Sequence, residues 1–152
     1  ALRAHELRID RATVLGASAA RTLHASDALF TGLVEVERTQ RGCVRYSHVP
    51  PGSKVPRCYR CQPAMALASL PDAEQPSALA RLVPAFTATR YGHPAYAQLA
   101  ASCPLEMRAG GSGGSEMGVY HHLQQPQREA NLRASLDDYL RFGLEAGILF
   151  VS

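Results

Sequence analysis

The sequence predicts a mainly β chain with a helical cap: a short β-solenoid followed by an α-helical segment that closes it. Three observations carry this. LRIDRATVLG at 7–16 and LHASDALFTG at 23–32 superimpose without a gap, sharing Leu, a small or branched residue, Asp or Ser, Ala and a final Gly at an interval of 16 residues. Beyond them, Val34/Val36 and Val44/Tyr46 alternate with Glu35/Glu37 and Arg45, the period-two pattern of a strand with one dry face and one wet face. Near the C-terminus, Leu132, Leu136, Leu140 and Leu144 recur at intervals of four, a helical stripe.

Short strands at a near-constant interval, with turn residues in register, suggest coils stacked on one another. In that stack Leu7 lies over Leu23, Ile9 over Ala25, Ala12 over Ala28 and Val14 over Phe30. Leu7, Ile9, Val14, Leu23, Phe30, Val34, Val36 and Val44 are the expected interior. Gly16 and Gly32 end the first two units, where a positive φ lets the chain turn. TQRG intervenes between Val36 and Cys43, so the third coil needs a bulge or a longer corner. An antiparallel meander with hairpins at similar spacing is the rival reading.

Residues 1–49 are therefore expected to form the coils. Residues 50–63, PPGSKVPRCYRCQP, carry four prolines and a glycine and read as a linker. Residues 64–152 are expected to be a mixed, mostly helical capping region, because an open solenoid end exposes strand edges and core. Within it, 64–83 reads as two short helical turns split by Pro71 and Pro76. Residues 94–102 read as a short helix opened by Pro94, and 107–118 as a flexible glycine-rich loop. A long helix from Pro126 to Gly143 or Gly147 is expected to dock through Leu132, Leu136 and Leu140. Its ladder Glu129, Arg133, Asp137, Arg141 and Glu145 faces water. Residues 148–151, ILFV, read as a terminal buried strand.

The chain has 152 residues, 46% of them apolar, enough for one core. It contains no apolar run of the roughly 18 residues that a spanning helix needs. The first residues, ALRAHELRID, lack an apolar signal core, which points to a cytoplasmic protein. A start without Met suits a piece of a longer chain. The net charge of +3 is uneven: residues 1–61 hold ten Lys or Arg against five Asp or Glu, and residues 62–152 hold six against eight. The basic half suits an acidic partner or a solvated surface. No Arg/Lys run is interleaved with aromatics, which argues against nucleic acid.

Four cysteines, Cys43, Cys58, Cys61 and Cys103, are too few for a disulfide scaffold, so free thiols are expected. Cys43, His48, Cys58 and Cys61 nonetheless form a C-x4-H-x9-C-x2-C set, the candidate ligands of a structural Zn²⁺, although the spacing matches no common zinc pattern. A redox CxxC should open a helix after a strand; here Pro56 and Pro63 flank it. His121-His122 lies outside any HExxH motif, the glycine-rich loop lacks a phosphate-loop lysine, and no serine sits in a GxSxG elbow. Asp10 aligns with Ser26 and Arg11 with Asp27, so no ladder of acids emerges and no catalytic residue is assigned.

GCVRYSHVPPGSKVPRCYRCQP, YGHPAYAQLA and GSEMGVYHHLQQPQREANLRASLDDYLRFGLEAGILFV together resemble the C-terminal region of large bacterial β-helix proteins. In that family a right-handed parallel β-helix precedes a tail ending in a YLRFGLEAGIF-like string, often encoded near phage-tail-like contractile injection system genes. The resemblance implies the last coils of a right-handed β-helix and a non-enzymatic structural or assembly role in a larger bacterial protein. No cofactor and no membrane partner are expected. The expected partners are the rest of the parent chain, a particle assembly or further copies. The alternatives are a carbohydrate-binding module, or a β-helical enzyme acting on polysaccharides.

Overall fold

The computed structural model describes residues 2–149. Every strand pairing in residues 2–62 is parallel, which excludes the meander and makes this part a β-solenoid of four stacked coils. β1 (Leu2–Asp10) and β2 (Thr13–Val14) form the first coil, and β3 (Ser18–Ser26) and β4 (Leu29–Phe30) the second. Their register is the one the repeat dictates: Leu7 faces Leu23, Ile9 faces Ala25 and Val14 faces Phe30.

β5 (Val34–Val36) and β6 (Gly42–Arg45) form the third coil, and both lie on β3. Ser18 pairs with Val34 but Leu23 pairs with Gly42, so the offset grows from 16 to 19 between them. The TQRG stretch absorbs those residues in a turn closed by Arg41 N–H donating to the Arg38 carbonyl (3.1 Å). The fourth coil holds β7 (Cys58–Tyr59), with Cys58 on Val44, and single bridges of Lys54 to Glu35 and Gln62 to His48. Residues 50–63 are thus a coil and not a linker. Their prolines fall outside the bridging positions, which leaves the N–H groups of Lys54 and Gln62 to donate to Val34 (2.8 Å) and Ser47 (2.9 Å).

The interior is a narrow column of small and branched side chains. Leu23, Ala28, Phe30, Val36 and Val44 are fully buried, with Leu7, Ala20, Ala25, Val34, Val49 and Cys61 around them; Ile9 and Val14 pack against this column. The corner that follows β1, β3, β6 and β7 recurs in every coil. Arg11, Asp27, Tyr46 and Arg60 all adopt φ near +50°, stacked in the left-handed conformation that non-glycine residues rarely hold. At the other corner Gly32 is required by contact: a Cβ there would lie 2.3 Å from the Gly16 backbone.

The remaining chain lies against the flank of the solenoid. Leu29 points outward from β4 into a second small core with Leu82, Leu99, Cys103, Met107 and Met117. α1 (Ala64–Ala68) and α2 (Gln75–Arg81) are the two expected short helices, with Pro76 in the first turn of α2 instead of breaking it. Residues 94–102 are not helical. Ala97 has φ +60°, and the segment bridges back to residues 86 and 88 through Leu99 and Tyr96. After α3 (Leu105–Arg108), the glycine-rich stretch is a packed strap and not a loose loop: Ser115, Glu116 and Met117 are buried.

α4 (Gln125–Tyr139) ends before Gly143 and buries none of its side chains. Leu132 is 49% exposed, so the leucine stripe does not hold the cap; Leu82, Leu99 and Met107 do that work. With no buried face, α4 is tied down near its start, by Gln127 Nε2 donating to the Gly113 carbonyl (2.7 Å) and by Arg108–Glu129 (3.5 Å). The Glu129–Arg133 rung of the charge ladder forms (2.7 Å). Ile148 and Leu149 are not in a strand and Leu149 is exposed; the rest of the expected terminal strand lies outside the described residues.

Candidate functional site

Two features of the solenoid are unlike a sealed domain. The first is its N-terminal end. β1 pairs with β3 on one side, and among the described residues nothing pairs with its other edge across nine residues. Leu2 and Leu15 are exposed there, and Ala4 and Ile9 only partly covered. A nine-residue edge of backbone donors and acceptors beside an apolar column is a template for another strand.

The second is the outer face over 2–4, 18–20 and 34–36. There Arg3, Ala19 and Glu35 align in register, and Lys54 bridges to Glu35. With His5, Arg21, Glu37 and Arg38 they line a cleft of about 890 Å³. Ala19 is the small residue of the row and leaves the floor open. Arg3, Arg21, Arg38 and Lys54 form no ion pair among the described residues, nor do Glu35 and Glu37.

The four proposed zinc ligands do not converge. Among the described residues no three His, Cys, Asp or Glu side chains are placed to hold a metal ion. The reason is strand alternation. Cys43 faces outward beside His24, with Sγ 4.0 Å from Nδ1, while its neighbour Val44 points inward. His48 is buried, with Nδ1 2.9 Å from the Phe30 carbonyl; burial lowers its pKa, and its contacts with the Phe30 and Leu82 carbonyls oppose that. Cys61 is buried against the column, its Sγ donating to the Val44 carbonyl (3.4 Å). Cys58 Sγ donates to the Pro56 carbonyl (3.6 Å), and the nearby Cys58 and Cys61 thiols influence one another, which pulls Cys61 down to about 7 and pushes Cys58 up. The CxxC thus presents one exposed and one buried thiol, and among the described residues no third ligand joins them.

The strap brings together residues that the sequence keeps 85 apart. Ser112 N–H donates to Asp27 Oδ1 (2.6 Å), and His121 Nε2 lies 3.4 Å from the same oxygen and 3.2 Å from Ser112 Oγ. Serine, histidine and aspartate meet, yet not as a catalytic triad. A triad uses both ring nitrogens, one for the nucleophile and one for the carboxylate; here serine and aspartate share Nε2. The cluster is a latch. Gly118 N–H donates to the Asp27 carbonyl (2.8 Å) and Val119 N–H to Thr13 Oγ1 (3.1 Å), so the strap is pinned across two coils. His122 is exposed, with Nδ1 3.1 Å from the Val119 carbonyl.

Beside the strap, Thr87, Gln98, Leu99, Arg108, Glu116 and Leu132 help line a groove of about 780 Å³. Burial raises the pKa of Glu116, opposed by Arg108 and His122. No protein-family model, curated protein or solved structure matches the chain. Its functional reading therefore rests on the geometry. The one sequence signal of the latch is that Asp27 occupies the second-coil position of the left-handed corner, where Asp is among the tolerated side chains.

Proposed function

We propose that the chain is a structural and assembly module of a larger bacterial protein, not an enzyme, and that its first coil receives further β-structure. The unpaired edge of β1 carries this reading: the same 16-residue pattern that seats coil two on coil one is presented again, outward, by coil one. The flank, by contrast, is covered by the core around Leu29. The occupant of the edge is the rest of a parent chain, a neighbouring particle subunit or another copy. The resemblance of the Cys43–Cys61 region and the C-terminal tail to β-helix proteins encoded beside contractile injection genes supports a place in a phage-tail-like particle assembled in the cytoplasm. The strong preference for right-handed crossovers between parallel strands supports a right-handed wind. No helix among the described residues is long and apolar enough to cross a membrane.

The test is to append one more coil. A second copy of residues 2–17 placed ahead of β1 is expected to stack on it, raise the unfolding temperature and protect the β1 amides from hydrogen exchange. If the added coil stays unprotected and stability is unchanged, the edge is not a receiving surface and the proposal falls.

A further inference from the structure

We propose that the cleft over the first outer face of the solenoid binds an acidic polysaccharide, a linear chain carrying carboxylate or sulfate groups. This goes beyond the assembly role and does not rest on it. Neighbouring coils stand about 4.8 Å apart, so side chains at one register repeat at that interval along the stack. Arg3 and Lys54 sit at opposite ends of one such row, with Ala19 and Glu35 between them, and Arg21 and Arg38 stand alongside. Four cations and two carboxylates in one cleft, none of them in an ion pair among the described residues, leave an excess of positive charge free to meet an anionic ligand.

The kind of polyanion follows from what lines the cleft. Guanidinium groups match planar carboxylates and sulfates with paired hydrogen bonds. Glu35 and Glu37 can accept hydrogen bonds from hydroxyl groups, which a sugar chain offers; the same carboxylates repel a dense run of phosphates. No aromatic side chain lines the cleft, so there is no platform for stacking nucleobases or the bare face of a neutral sugar. A sugar acid, with charges and hydroxyls interleaved along a chain, meets all three conditions.

The test titrates the intact chain with polygalacturonate, dextran and single-stranded DNA by calorimetry at low and moderate salt. Polygalacturonate is expected to bind and to weaken as salt rises, while dextran does not bind. The double variant Arg21→Ser/Lys54→Ser should lose about tenfold or more in affinity, the value of a single charge-assisted contact. Ala19→Glu, which removes no cation but fills the floor with an opposing charge, should lose as much. Arg133→Ser, on the exposed face of α4, should change nothing. Circular dichroism of each variant checks that the coils remain. Failure of polygalacturonate to bind, tighter binding of the DNA through the same residues, or equal weakening by Arg133→Ser would each overturn the proposal.

Discussion

Replacing Phe30 with alanine tests whether the narrow column, and not the helical tail, holds this molecule together. Phe30 is fully buried on the rung above Val14. Its backbone cannot relax into the space left behind: its N–H donates to the His48 carbonyl (3.1 Å), and its own carbonyl lies 2.9 Å from His48 Nδ1. Truncating a buried Phe to Ala costs about 3–5 kcal/mol, with the upper part of that range where the site cannot collapse. Domains of this size hold only about 5–15 kcal/mol in total. With a urea dependence of about 2 kcal/mol per molar, the midpoint should drop by about 2 M. Leu132→Ala, half exposed on α4, should cost no more than about 0.5 kcal/mol. Urea unfolding followed by far-ultraviolet circular dichroism measures both. If Phe30→Ala prevents folding, the milder Phe30→Leu should still cost up to about 1.5 kcal/mol. A shift below about 0.5 M for Phe30→Ala, or an equal shift for Leu132→Ala, refutes the reasoning.

Burial depresses the pKa of His48 below its ordinary 6.5, so the unfolded chain takes up this proton first. Its contribution is complete above 6.5 and is lost as pH falls below it, at no more than about 1.4 kcal/mol per pH unit; His48→Gln should flatten urea midpoints compared at pH 7.5 and 5. Glu116 has the opposite sign. Its pKa is raised above 4.5, so stability is lost as pH rises through the raised value, and Glu116→Gln should be more stable than the parent at pH 7 but equal to it at pH 4. Removing the latch carboxylate with Asp27→Ala should cost about 1–3 kcal/mol, because the Ser112 N–H loses its acceptor. Asp27→Asn keeps an oxygen and tolerates φ +51°, so it should cost less, and hydrogen exchange at residues 112–118 should rank the two.

The first two coils were legible because one physical pattern was written twice. Leu7 on Leu23 and Val14 on Phe30 follow from an ungapped repeat, and the structure keeps that register. Coil four was hidden because it keeps the geometry without the letters. Its offset from coil three falls from 19 at Glu35–Lys54 to 14 at Val44–Cys58 and His48–Gln62, and prolines stand between its strand positions. A proline count reads as a linker, yet proline harms a ladder only where an N–H must donate. Residues 94–102 failed for the converse reason: their composition suits a helix, but Ala97 at φ +60° and pairing with residues 85–88 override that weak preference.

The same distinction explains the sites. The C-x4-H-x9-C-x2-C set looks like a ligand group in one dimension, but ligands must share a face, and alternation sends Cys43 outward while Cys61 goes inward. Residues that do meet, Asp27 with Ser112 and His121, or Glu35 with Lys54, are far apart in sequence: the strap joins the first group and the coil offset the second. In a stacked fold the offset is the coordinate that matters. A residue's neighbours lie one coil away, at 16, 19 or 14 positions, and the left-handed corner at Arg11, Asp27, Tyr46 and Arg60 marks each step. A chain read at those offsets puts Asp10 beside Ser26 and Arg45, with no second acid in the row. It puts Arg3, Ala19, Glu35 and Lys54 in line, and the outer cleft follows from that alignment.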